Sequence, residues 1–135
     1  ITGSAWVISA DGAQVVLIHH KKLKKWMQPG GHSDGNPYTL EVAKREAIEE
    51  TGLNDIKEIS EDFFDLDIHE IPERGNEPAH LHYDARFLFR VSREHQLLMN
   101  EEVSDLKWFP VSEVLHMKLE ASVERMALKH QERLK

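Results

Sequence analysis

Between Gly30 and Leu53 the chain reads GGHSDGNPYTLEVAKREAIEETGL, and this stretch constrains the fold more than any other. Asn36 followed by Pro37 is a helix start, with Asn as N-cap and Pro at the first helical position, where its missing N–H costs nothing. Gly52 can take the left-handed conformation that ends a helix. The spacing predicts a helix from about Pro37 to Thr51, with Leu40, Ala43 and Ala47 as its apolar stripe. Residues three and four apart share a helix face, so Glu46, Glu49 and Glu50 point the same way, within about 100° of arc. Like charges this close weaken a helix by a few tenths of a kcal/mol per pair, roughly. A face chosen for stability would interleave lysines. Hard divalent cations such as Mg²⁺ take oxygen ligands of this kind and remove the repulsion. A bare E-x-x-E-E is also what a solvated acidic face looks like, so the glutamates alone leave both readings open.

The whole stretch resembles the Nudix box, the signature of the Nudix hydrolases. Gly31, Arg45, Glu46, Ala47, Glu49, Glu50, Gly52 and Leu53 all fall in register with it. At ordinary residue frequencies the fixed Arg, three Glu and two Gly coincide on the order of once in ten million start positions. One position departs: the first Glu of the box is replaced by Pro37. The resemblance implies an α/β chain with the Nudix fold, a mixed β-sheet sandwiched between α-helices (α/β/α). It also implies Mg²⁺- or Mn²⁺-dependent, MutT-like pyrophosphohydrolase activity on a nucleoside diphosphate linked to another moiety. Glu46, Glu49 and Glu50, with the Gly31 backbone, are the expected metal ligands. Glu46 and Glu102 are the candidate general bases, and Arg45 is expected to orient the carboxylates. Two rivals remain. Pro37 raises a catalytically weak Nudix-fold nucleotide-binding module; an isopentenyl-type diphosphate isomerase is disfavoured because it relies on cysteine and this chain has none.

The 135 residues, 40% of them apolar, predict one domain over residues 1–135 that buries about two-thirds of its unfolded surface. No 18-residue apolar run or leader pattern is visible, so neither a membrane span nor a signal peptide is expected. The absence of cysteine fits a reducing, cytoplasmic setting and excludes thiolate metal sites. A formal charge of −7 argues against broad nucleic-acid or membrane binding. It does not argue against a small phosphorylated substrate, because bound metal reverses the local sign. The expected partner is therefore a small-molecule diphosphate, with a homodimer possible since many relatives are dimers.

Ser4–Ala10 and Ala13–His19 read as a hairpin about Asp11-Gly12. His20–Lys25 is a basic connection, either a solvated loop or a phosphate contact. It leads into Trp26-Met27-Gln28-Pro29-Gly30-Gly31, which in Nudix proteins is a strand ending at the box loop. Asn54–Ser60 reads as a linker. Phe63–Ile71 alternates, with Phe64, Leu66 and Ile68 on one side and Asp65, Asp67 and His69 on the other. His80–Val91 puts His80, His82, Asp84 and Arg86 on one face. Paired as a hairpin, these strands bring seven ionisable side chains together. Alternation of this kind is ordinary for a half-buried sheet with its polar face in water. The alternative is that the polar face lines a substrate cavity, and the same pattern with W-x-Q-P-G-G-H resembles a Nudix subgroup, which adds His32 to the candidates. His80 and His82 alone, two residues apart, do not specify a second metal site. Ser112 is read as the cap of a short helix over Glu113–Met117, and Ala121–Leu134 as a closing helix with Val123, Met126, Ala127 and His130 toward one side.

Overall fold

The computed structural model describes residues 1–93, 97–98, 100–101 and 103–134. In chain order its elements are β1 Thr2–Ile8, β2 Gln14–His20, β3 Trp26–Met27, β4 Gly30–His32, α1 Thr39–Thr51, β5 Ile56–Glu58, β6 Asp65–Ile71, β7 His80–Val91, β8 Val103–Pro110, α2 Val111–Val114 and α3 Ala121–Leu134. The strands form one mixed sheet. At its centre β1 runs parallel to β7, Thr2 opposite Asp84 through Ile8 opposite Arg90. The other edge of β1 meets β4 antiparallel, Ser4 opposite Gly30 and Thr2 opposite His32. On the far side of β7 lie β5 and β6, both antiparallel to it. Strand β2 pairs with β3 and β8.

Two apolar layers sandwich this sheet between helices. On one face Ala5, Val7, Phe87 and Phe89 pack with Ala43 and Ala47 of α1. On the other, Trp6, Ile8 and Leu88 pack with Val114 of α2 and Val123, Met126 and Ala127 of α3. The period-2 alternation of β1 and β7 supplies both layers at once, because successive side chains point to opposite faces. No helix among the described residues is long and apolar enough to cross a membrane.

Helix α1 starts two residues later than its sequence suggests. The Asn36 side chain accepts the Tyr38 N–H at 2.9 Å, which spans Pro37 in an Asx turn instead of capping the helix. Tyr38 itself is non-helical, at φ −91° and ψ 80°. Its buried face is Val42, Ala43, Ala47, Glu50 and Thr51, with Leu40 only half-buried. The far end behaves as expected: Gly52 sits at φ 76° and its N–H returns to the Ile48 carbonyl at 2.9 Å. Part of the expected linker, Ile56–Glu58, pairs with β7 as a short strand because Ile56 fills the core. Ser112 does not cap α2, which runs Val111–Val114 directly from Pro110.

One buried polar pair crosses the second layer. Trp6 Nε1–H donates to His130 Nδ1 at 3.1 Å, and the opposite ring nitrogen reaches the Gly12 carbonyl at 2.6 Å. The Trp6 bond needs a bare Nδ1, so Nε2 carries the proton and donates to Gly12, leaving the ring neutral. Burial pushes His130 below the usual imidazole range, against the smaller pull of the Gly12 carbonyl. The unfolded chain takes up this proton near pH 6.5 and the folded chain resists it, so stability falls as pH drops below about 6.5. Urea unfolding at pH 7 and pH 5 is expected to show a lower midpoint at pH 5, with the gap narrowed in His130→Gln.

Candidate active site

The box helix and the glycine strand form one wall of a cleft of about 630 Å³. Glu46, Glu49 and Glu50 all line it. Glu50 is buried, and its Oε1 accepts the Gly30 N–H at 3.2 Å. Glu46 lies against Gly31 so closely that a Cβ there would stand 2.6 Å from the Glu46 carboxyl carbon. A side chain at position 31 would push the Glu46 carboxylate out of this position. Glu49 is exposed to the cleft mouth. Arg45 is exposed and sits 3.7 Å from Glu46 Oε1. Among the described residues no three His, Asp or Glu groups are already drawn together tightly enough to cage an ion.

The opposite wall comes from the β6–β7 hairpin, and here the polar face points inward. Asp65 is buried while Leu66 and Ile68 on the other side are 42% and 50% exposed. The register places Asp65 opposite Arg86, Asp67 opposite Asp84 and His69 opposite His82. What reads as an ordinary half-buried strand is therefore turned over, its charges against the body of the protein. Helix α3 explains this. Arg125 and Lys129, one helical turn apart, bring cations to Asp65: Arg125 at 2.7 and 2.9 Å, Lys129 at 2.5 Å. Burial raises the Asp65 carboxyl, but the bonds from Arg125 and Lys129 outweigh it and hold its pKa at about 2.

Arg86 is locked into the same network. It donates to Asp84 at 2.8 Å, to Asp65 at 3.3 Å, and to the Ser122 carbonyl and hydroxyl at 3.2 and 3.0 Å. Most of its donors are therefore spent inside the protein. Asp84 in turn accepts Thr2 at 2.8 Å and Ser4 at 2.9 Å. His82 lies between two other imidazoles, its ring centroid 6.3 Å from that of His32 and 4.8 Å from that of His69. Burial first, then the neighbouring His69, pushes His82 below the usual imidazole range.

Most of the residues singled out in the sequence converge here: Gly31, His32, Glu46, Glu49, Glu50, His82, Asp84 and Arg86 line one cleft. His80 does not; it is exposed, with Nδ1 3.1 Å from the Pro78 carbonyl. Glu102 lies outside the described residues. The basic connection contributes His20 and Lys25 to the lining, and Lys25 pairs with Glu120. Gln28, Asp67, His69 and Glu120 line the cleft without having been picked out as site residues. For Asp67 and His69 the signal was present in the alternation and for Gln28 in the W-x-Q-P-G-G-H pattern; for Glu120 there was none.

A family model for the NUDIX domain matches residues 2–129. The chain belongs to the Nudix hydrolase family. Nudix structures share its fold at low identity. A C. elegans Ap4A hydrolase binary complex superposes with a TM-score of 0.79 at 14% identity, covering 98% of this chain and 96% of that one. A Nudix-family hydrolase from Clostridium perfringens gives 0.76 at 22% identity, covering 99% and 97%. A Listeria monocytogenes Nudix hydrolase gives 0.75 at 23%, covering 99% and 93%. No curated protein sequence matches this chain. The Nudix assignment makes the chain a hydrolase acting on pyrophosphate bonds.

Proposed function

We propose that this single Nudix domain cleaves the diphosphate of a nucleoside diphosphate linked to another moiety, with Mg²⁺ or Mn²⁺ held by Glu46, Glu49, Glu50 and the Gly31 backbone. The observation that carries this is the placement of three glutamates from one stretch of α1 in a single cleft that His32, His69 and His82 also line. The residues fit a hard cation. Their donors are all oxygen, and the glycine strand meets the glutamates at contact distance. When bound, such an ion neutralises charge on the diphosphate oxygens and lowers the pKa of water.

The chain's own groups supply the positioning. Glu50, pinned by the Gly30 N–H, sets the depth of the site. Glu46 is held between Gly31 and Arg45 and is one candidate base beside Glu102. His32 follows Gly31 on the glycine strand, lines the same cleft as the glutamates and can donate to phosphate oxygens. Arg86 and Asp84 keep the opposite wall rigid. Pro37, which motivated the binding-module alternative, borders a separate groove beside Tyr38 and Phe63 and not this cleft. Its presence therefore removes no carboxylate from the cleft lining.

Two measurements test this reading. Mn²⁺ titration followed by electron paramagnetic resonance is expected to show binding weakened at least tenfold in Glu50→Gln. Unchanged Mn²⁺ binding in that variant contradicts the proposed ligands. Gly31→Ala is expected to lower turnover about 10- to 100-fold, the range for displacing a group that orients metal ligands. Steady-state rates beside a thermal melt separate this from simple unfolding.

A further inference from the structure

We propose that Gln28 and His82 form a hydroxyl-reading subsite in the lining of the cleft, so that the moiety beyond the diphosphate is a sugar. The inference names the substrate class of the hydrolase reading above and rests on it. Gln28 is only 5% exposed, yet it lines the cleft. Its Nε2 leans toward the Ser4 hydroxyl at 3.4 Å and Asp84 Oδ2 at 3.5 Å. Two acceptors on that side fix the amide orientation and leave the carbonyl Oε1 on the other. Among the described residues nothing donates to this oxygen, and nothing pairs with His82 Nδ1. Buried polar atoms are almost always paired, so two such atoms in one cleft mark where a ligand completes the bonding.

The two atoms flank a fixed centre. Gln28 borders Asp84, and His82 stands two residues along β7 from Asp84 on the same face. Asp84 is saturated by Thr2, Ser4 and Arg86, so it holds the floor and does not bind the ligand itself. What remains is one obligate acceptor and one ring nitrogen that donates or accepts according to tautomer. A hydroxyl group both donates and accepts, and neighbouring sugar hydroxyls match this pair.

The test compares ligands that differ only in the distal sugar, ADP-ribose against ADP and UDP-glucose against UDP. Binding is followed by calorimetry with Ca²⁺ in place of Mg²⁺ to suppress turnover. In at least one pair the wild type is expected to prefer the sugar-bearing member tenfold or more. Gln28→Met and His82→Phe are each expected to cut that preference at least threefold, with affinity for ADP or UDP within twofold of wild type. A wild type that binds both members of each pair alike, or binds none of them, overturns the proposal. So does a variant that weakens both members equally or leaves the preference intact. Formation of AMP from ADP-ribose and of UMP from UDP-glucose is measured separately with Mg²⁺ and Mn²⁺. Its absence would overturn the hydrolase reading without touching the binding comparison.

Discussion

Replacing Glu49 by glutamine is expected to lower kcat about 10²- to 10³-fold, the range for removing one electrostatic contact to a developing charge. The melting temperature should stay within about a degree, since surface changes away from special contacts typically move stability by less than 0.5 kcal/mol. The reason lies in the difference between neighbouring glutamates. Glu50 is buried and bonded to the Gly30 N–H, so its substitution perturbs the fold as well as the chemistry. Glu49 is exposed on the same face of α1 and lines the same cleft. The glutamine keeps its shape and loses only the charge. Steady-state kinetics with Mg²⁺, beside a calorimetric melt, separate the two effects. A Glu49→Gln enzyme with wild-type kcat removes this residue from the site.

The largest effect on stability is expected at Asp65. Its carboxylate is buried, and Arg86, Arg125 and Lys129 all reach it. Asp65→Asn leaves Arg86, itself buried, with one buried carboxylate partner fewer. Breaking a buried charge pair costs about 3–5 kcal/mol, and the surviving bond from Arg86 to Asp84 places this case near the lower end. The pH dependence has a definite sign. The folded carboxyl titrates at about 2 against an ordinary value of 3.8, so its contribution is complete above about pH 4. It declines as pH falls through 2, and amounts to on the order of 2 kcal/mol. Urea unfolding at pH 7 is expected to show the midpoint of Asp65→Asn well below wild type. At pH 2 the two midpoints should approach each other. A variant as stable as wild type at pH 7 contradicts the network.

The sequence made some of this architecture legible and hid the rest for identifiable reasons. The end of α1 at Gly52, the span of β7 and the buried side of α3 follow from period and punctuation, and each appears where expected. The start of α1 was misplaced because Asn-Pro serves an Asx turn as readily as a helix cap. Strand β5 was missed because three residues are too short for any period to show. The orientation of β6 could not be read at all. A period of two separates its faces but does not say which is inward, and the answer depends on Arg125 and Lys129 some 60 residues later. The glutamates were recognised because several residues in fixed register specify them together. Gln28 stands in the W-x-Q-P-G-G-H pattern, but only the crossing of the chain from β3 to β4 shows that it lies against Ser4 and Asp84.

The central claim is that this cleft performs metal-dependent hydrolysis of a diphosphate. Its most direct test is a chromatographic screen for cleaved nucleotide products on the wild-type protein. The panel would span dinucleoside polyphosphates, nucleotide sugars, ADP-ribose and nucleoside triphosphates, each with Mg²⁺, with Mn²⁺ and with EDTA. The expected result is turnover on at least one class that disappears with EDTA and returns when metal is restored. Turnover that survives EDTA, or none on any class with either metal, would contradict it.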